Sequence, residues 1–220
     1  MEVKKLTNED DLNTKLFLIE SFFEKLERRT QFLSNLFESG HNEEALLLCC
    51  CYIEGFGNWL YGKYRPTYNF VRVLKEYGEV SKFSLILPEF LKTEITEAIR
   101  KRNRQVPVEV INILAHADKR LYTEDEILAL LQSVLNRKEC EQIKRHFWRG
   151  TLAVFAYRRI RSENVHWLVG PTKFAPFADG TYFPEFEEFY AALSNIVNKA
   201  KQLSLNSRRW FGHDERNTEP

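Results

Sequence analysis

The chain has 220 residues, 44% of them hydrophobic and 29% charged, with a formal net charge of +1. That supply of apolar side chains can bury a core of single-domain size, and nine glycines with seven prolines favour packed helices over sandwiches or disorder. The opening MEVKKLTNEDD leads into no apolar run, and the longest such run, ALLLCCCYI from Ala45 to Ile53, has nine residues, too few to span a bilayer. A soluble, cytoplasmic protein with no membrane partner is therefore expected.

In chain order, Leu16, Ile19, Phe22, Phe23, Leu26, Phe32, Leu33 and Leu36 recur at helical spacing and predict an amphipathic helix from Leu12 to Glu38, ended by SGHN. Asn42 is placed to cap a second helix running to Leu60, apolar nearly all round and hence central. That helix carries Glu54, and Asn58 and Tyr61 extend a polar stripe along the same face. Three consecutive cysteines, Cys49 to Cys51, and the isolated Cys140 have neither disulfide nor zinc spacing and read as thiols kept reduced in the core.

After the break at YGKYRP, shorter helices are predicted over Tyr68–Tyr77, Pro88–Lys101 and Val106–Ala117, the last opening on a proline. The basic run Arg100–Arg104 reads as a solvated helix end. Thr123 is the expected cap of a helix over Glu124–Leu135, with Glu126 completing a capping box. Cys140–His146 begins the approach to the last core helices, and Gly150 marks a break before a helix from Thr151 to about Glu163. The ADG turn at 178–180 predicts a short hairpin near 172–183, followed by a closing amphipathic helix over Glu185–Leu203. One domain over 1–205 and a polar tail over 206–220 complete the outline, and the fold class is all-α.

Charge is unevenly spread. Arg137 to Arg161 holds eight Lys/Arg against two Glu, whereas Met1 to Ala45 holds six Lys/Arg against ten Asp/Glu. Such asymmetry suits either a polyanionic partner such as nucleic acid or the packing of two oppositely charged helices. Inside the basic stretch lies RRIRSENVHW, Arg158 to Trp167. Its Arg161 and His166 follow the apolar helix LAVFAYRRI and lie between two apolar helices; a second match to the same spacing, Arg208 to His213, falls in the polar tail. The aromatics nearby, Trp148, Tyr157 and Trp167, read as core side chains.

Arg161-Ser-Glu-Asn-Val-His166 resembles the R-x4-6-H signature of the HEPN superfamily, helical domains typified by RNA-cleaving prokaryotic toxins. The helix around Glu54 resembles the early core helix of such domains, and the segment from Ala178 through Asn198 resembles their closing helix after a loop. The resemblance implies a HEPN-type helical bundle with extra helices in the middle region, and a metal-independent endoribonuclease in a toxin-antitoxin or antiviral defence setting. It implies RNA, single-stranded by preference, as substrate, a two-fold homodimer with the two motifs facing one cleft, and an antitoxin protein as a further partner. No cofactor and no metal are expected. A catalytically inactive HEPN-like binding or regulatory module is the alternative.

The chemistry needs few parts, because RNA brings its own nucleophile in the ribose 2′-hydroxyl. His166, with an ordinary pKa of about 6.5, suits proton transfer, and a guanidinium that stays charged suits the phosphate. Which arginine serves is open at this stage. In an unbroken helix of about 100° per residue, Arg159 and His166 share a face with Leu152, Phe155 and Ala156, while Arg161 lies about 140° away. The family pattern points to Arg161, which requires the helix to bend or end between the two. Glu54, costly to bury alone, is expected either to orient Arg159 or Arg161 or to serve in a purely structural ion pair. Ser162 stands where the family often has Asn, and Leu168 where one branch has a modified tyrosine.

Overall fold

Residues 8–101, 105–162, 185–208 and 210 are described by the computed structural model, except for the side chains of 8–11, 161 and 162. The fold is all-α, and among the described residues isolated bridges take the place of strands. No helix among them is long and apolar enough to cross a membrane. Contacts divide the chain into two compact units, Met1–Glu79 with Phe186–Pro220, and Val80–Glu185.

In the first unit, α1 (Asn8–Glu38) buries Ile19, Phe23, Leu26, Thr30 and Leu33, a stripe alternating four- and three-residue steps. Such a stripe is the narrow face that a neighbouring helix covers. Phe22 and Phe32, which the spacing assigns to that face, are exposed instead. Phe22 turns to an aromatic edge cluster with Phe23, Trp59 and Trp210. The covering helices are α2 (Asn42–Tyr61) and the C-terminal helix Phe186–Ser207, which also pack on each other. Asn42 is the first residue of α2 and not its cap; His41 holds the capping position without a side-chain hydrogen bond.

Cys49 and Cys50 are fully buried in α2, and Cys51 is half-buried. Burial pushes the Cys49 thiol up to about 12, so it stays protonated at neutral pH. The helix expected over Tyr68–Tyr77 is two pieces, α3 (Pro66–Val73) and a π-helical turn, Leu74–Gly78. Gly57 lets α2 approach α3 closely, because a Cβ there would lie 2.7 Å from the Asn69 carbonyl oxygen. Backbone cannot step aside as a side chain end can, so Gly57→Ala is expected to destabilise the protein by about 2 kcal/mol. Denaturant melting of the variant checks this, and an unchanged midpoint would contradict it.

The polar stripe of α2 is met by this same stretch. Asn58 Nδ2 donates to Glu54 Oε1 at 3.4 Å, and Asn69 Nδ2 donates to Asn58 Oδ1 at 3.2 Å and to the Gly62 carbonyl. Tyr61 donates to Glu76 at 2.6 Å, Arg72 Nε donates to the other Glu76 oxygen at 2.7 Å, and the Arg72 guanidinium lies 4.0 Å above the Tyr61 ring. Burial first, and then Glu76, push the Tyr61 phenol upward, which keeps it a donor.

The second unit is assembled from α4 (Pro88–Arg100), α5 (Val108–Ala115), α6 (Glu124–Gln132), α7 (Arg137–Lys144) and the short α8 (Leu152–Ala156). The final helix, Phe186–Ser207, is then α9. Leu91, Ile95, Val110, Leu114, Ile127, Leu131 and Phe147 form the core of this unit. Ile86 exchanges backbone hydrogen bonds with Tyr122, and Leu85 and Leu87 bond to Leu152 and Gly150, which ties the entrances of α4, α6 and α8 together. The expected hairpin near 172–183 lies outside the described residues, as does Arg102–Arg104 within the basic run.

Thr123 and Glu126 form the expected capping box of α6, and Asn136 and Glu139 form a second one on α7. The Lys119 ammonium, and then the Thr123 backbone N–H, hold the Glu126 carboxyl at about 2. A lowered folded-state pKa means stabilisation that is complete above the ordinary value of 4.5 and is lost as pH falls toward about 2. Carboxyl titration followed by NMR is expected to place Glu126 near 2, whereas titration at 4.5 would show that the box is not closed in solution.

Candidate functional site

The basic segment is launched from a buried base. Thr151 caps α8 by accepting from the Val154 N–H at 3.4 Å, and Leu152 through Ala156 are all buried. A five-residue helix is too short to hold itself, so tertiary packing fixes its direction. The chain then winds into a π-helical turn, Tyr157–Ser162, in place of the continuous α-helix expected from Thr151 to about Glu163. Bonds that reach back five residues widen the turn and change the phase of every side chain beyond it. Tyr157 and Ile160 face the core, and Arg158 and Arg159 face out.

Arg158 has a defined anchor. Its Nη1 donates to Glu94 Oε1 and its Nη2 donates to Oε2 at 2.7 Å, a two-pronged grip on a carboxylate of which 3% is exposed. Burial pushes the Glu94 carboxyl up, and the guanidinium of Arg158 opposes that push. The pair is asymmetric, since 44% of the Arg158 side chain remains exposed. Arg158 also lies 5.8 Å from the centre of the Phe90 ring, and Arg159 lies 5.8 Å from that of Phe155. Those two rings meet edge to face at 5.2 Å. Arg149 adds a further guanidinium, 4.6 Å over Trp148.

Of the residues singled out by sequence, Arg159 is exposed, with its guanidinium 5.8 Å from the Phe155 ring, whereas Leu152, Phe155 and Ala156, which α-helical spacing puts on its face, are buried. Arg161 lies in the π turn, and its side chain is outside the described residues, as is His166 entirely. Glu54, half-buried in the first unit, has Asn58 as a hydrogen-bond partner. The carboxylate that holds the arginine run within the second unit is Glu94. A signal for it was present in the sequence: Glu94 falls between Leu91 and Ile95 on the apolar face of α4, where a charge needs a partner.

Among the described residues no group of three His, Cys, Asp or Glu side chains is placed to hold a metal ion. The arrangement supplies fixed cations on a rigid mount, which is the part of phosphate chemistry that a guanidinium performs without transferring a proton. Searches against protein-family models, curated proteins and solved structures find no match to this chain.

Proposed function

We propose that the chain is a metal-independent endoribonuclease of the HEPN type, acting on single-stranded RNA. The observation that supports this reading is the guanidinium-bearing turn Tyr157–Ser162, where Arg158 is gripped by Glu94 and Arg159 is exposed beside Phe155, because that turn leads directly into the Arg161–His166 match. Arg158, held by Glu94, fixes the mount, and Arg159 and Arg161 supply the charge that meets the phosphate.

In the reaction, His166 takes the proton of the 2′-hydroxyl as its oxygen attacks phosphorus, the bond to the 5′ oxygen breaks, and that oxygen leaves with a proton. The products are a 2′,3′-cyclic phosphate and a 5′-hydroxyl. One histidine per motif cannot give and take a proton at once, so a two-fold dimer supplies the second from its copy. A toxin or phage-defence setting, with an antitoxin protein restraining the activity, follows from the same resemblance.

Incubation of the purified protein with single-stranded RNA in EDTA tests the reading. Fragmentation is the expected outcome. RNA that is bound but left intact at equimolar protein would replace the nuclease by a binding or regulatory module of the same fold.

A further inference from the structure

The second unit contains a cavity of about 540 Å³ that none of the chemistry above uses. Leu87, Phe90, Leu114 and Phe155 supply apolar wall, and Thr93 and Asp118 supply polar wall. The Phe90 and Phe155 rings that line it are the same two rings that carry the guanidiniums of Arg158 and Arg159. Lys119 and Arg120 line it as well.

Four features narrow the occupant. The volume is that of a small-molecule site, and aromatic side chains in an apolar wall favour a flat, ring-shaped body. The exposed Arg159 guanidinium beside Phe155 favours an anion attached to that body, Arg158 and Lys119 being engaged by Glu94 and Glu126. Two carboxylates in the wall, Asp118 and Glu89, accept hydrogen bonds and donate none. Tyr122 already donates to one Asp118 oxygen at 2.5 Å, and Lys92 pairs with Glu89, which leaves further lone pairs on each. A ligand edge that faces them must therefore donate.

We infer that this cavity receives an amino-bearing nucleobase of a single-stranded RNA, with the adjoining phosphate on the Arg158–Arg159 side. Cytosine and adenine present an exocyclic amine to a carboxylate, whereas uracil presents carbonyl oxygens on both sides of its one N–H. The inference rests on the ribonuclease reading, for it names the part of the strand that docks beside Arg158 and Arg159, but it concerns binding and not bond breakage.

The test uses fluorescence anisotropy in EDTA, with 2′-O-methyl ten-mers of cytidine and of uridine, which lack the nucleophile and cannot be cut. Thr93→Trp fills the cavity from an exposed position on α4, and Ala115→Trp fills it from the end of α5. The parent is expected to bind the cytidine strand about ten-fold more tightly than the uridine strand, and either variant to abolish that difference. Arg159→Ala is expected to weaken both strands alike and to reduce the salt dependence of binding. Equal binding of the two strands by the parent, or undiminished cytidine binding by both tryptophan variants, would overturn the inference. Cleavage of unmodified RNA is scored separately: selective binding that the tryptophan variants abolish upholds the pocket even where the parent leaves that RNA intact.

Discussion

His166→Ala is expected to slow cleavage of single-stranded RNA by about 100- to 10,000-fold, the usual contribution of a general acid or base, while the variant melts with the parent. Rate and melting are read together, because a loss of rate without a loss of stability isolates proton transfer from folding. Alanine at Arg161 is expected to lower the rate with little change in proton-dependent behaviour, because a guanidinium stays charged across the working pH range. A pH–rate profile therefore assigns the two roles: the limb belonging to the imidazole disappears with His166 and persists without Arg161.

Arg158→Ala is expected to destabilise the protein by about 3 kcal/mol, and Glu94→Gln by about 1 kcal/mol, although both break the same ion pair. Removing the arginine strands a carboxylate that is 3% exposed, whereas removing the carboxylate's charge leaves an arginine with 44% of its side chain already in water. The first figure is taken from the low end of the range for broken buried pairs because that exposed flank admits solvent. The double variant is expected to be more stable than Arg158→Ala alone, and a chemical denaturation cycle of the four proteins measures the difference. The deficit also depends on pH. Without Arg158, only the weaker pull of Arg149 opposes the burial that raises the Glu94 pKa, and a carboxyl with a raised folded pKa contributes stability that is complete below its unfolded value and is lost as pH rises through the folded one. The Arg158→Ala deficit is therefore largest at neutral pH and narrows in acid.

Much of the scaffold was legible in the sequence because it rests on local rules. The α-helices over Asn8–Glu38, Asn42–Tyr61, Pro88–Arg100 and Phe186–Ser207 follow apolar periodicity, and the cap at Thr123 follows from its partner three residues on. Bounds slipped where the physics is not periodic. A π turn differs from an α turn by one residue of hydrogen-bond reach, and the apolar positions from Leu152 to Ile160 fit either, so neither π segment could be read from spacing.

Partners were harder still. The stripe Glu54, Asn58 and Tyr61 was visible as a stripe, yet the groups that answer Asn58 and Tyr61, Asn69 and Glu76, are placed by the crossing of α2 and α3 at Gly57. Glu94 pairs with a residue sixty-four positions away, a distance over which sequence pattern carries no register. The α9 helix likewise returns to α1 and α2 through matching apolar faces and not through any local signal.

The most direct measurement of the central claim is the chemistry of the cut ends. Single-stranded RNA incubated with the protein in EDTA is predicted to yield fragments ending in 2′,3′-cyclic phosphate and beginning with 5′-hydroxyl, and the same strand methylated on every 2′ oxygen is predicted to stay whole. Cleavage of both strands at equal rates, or fragments with 5′-phosphate ends, would contradict the account.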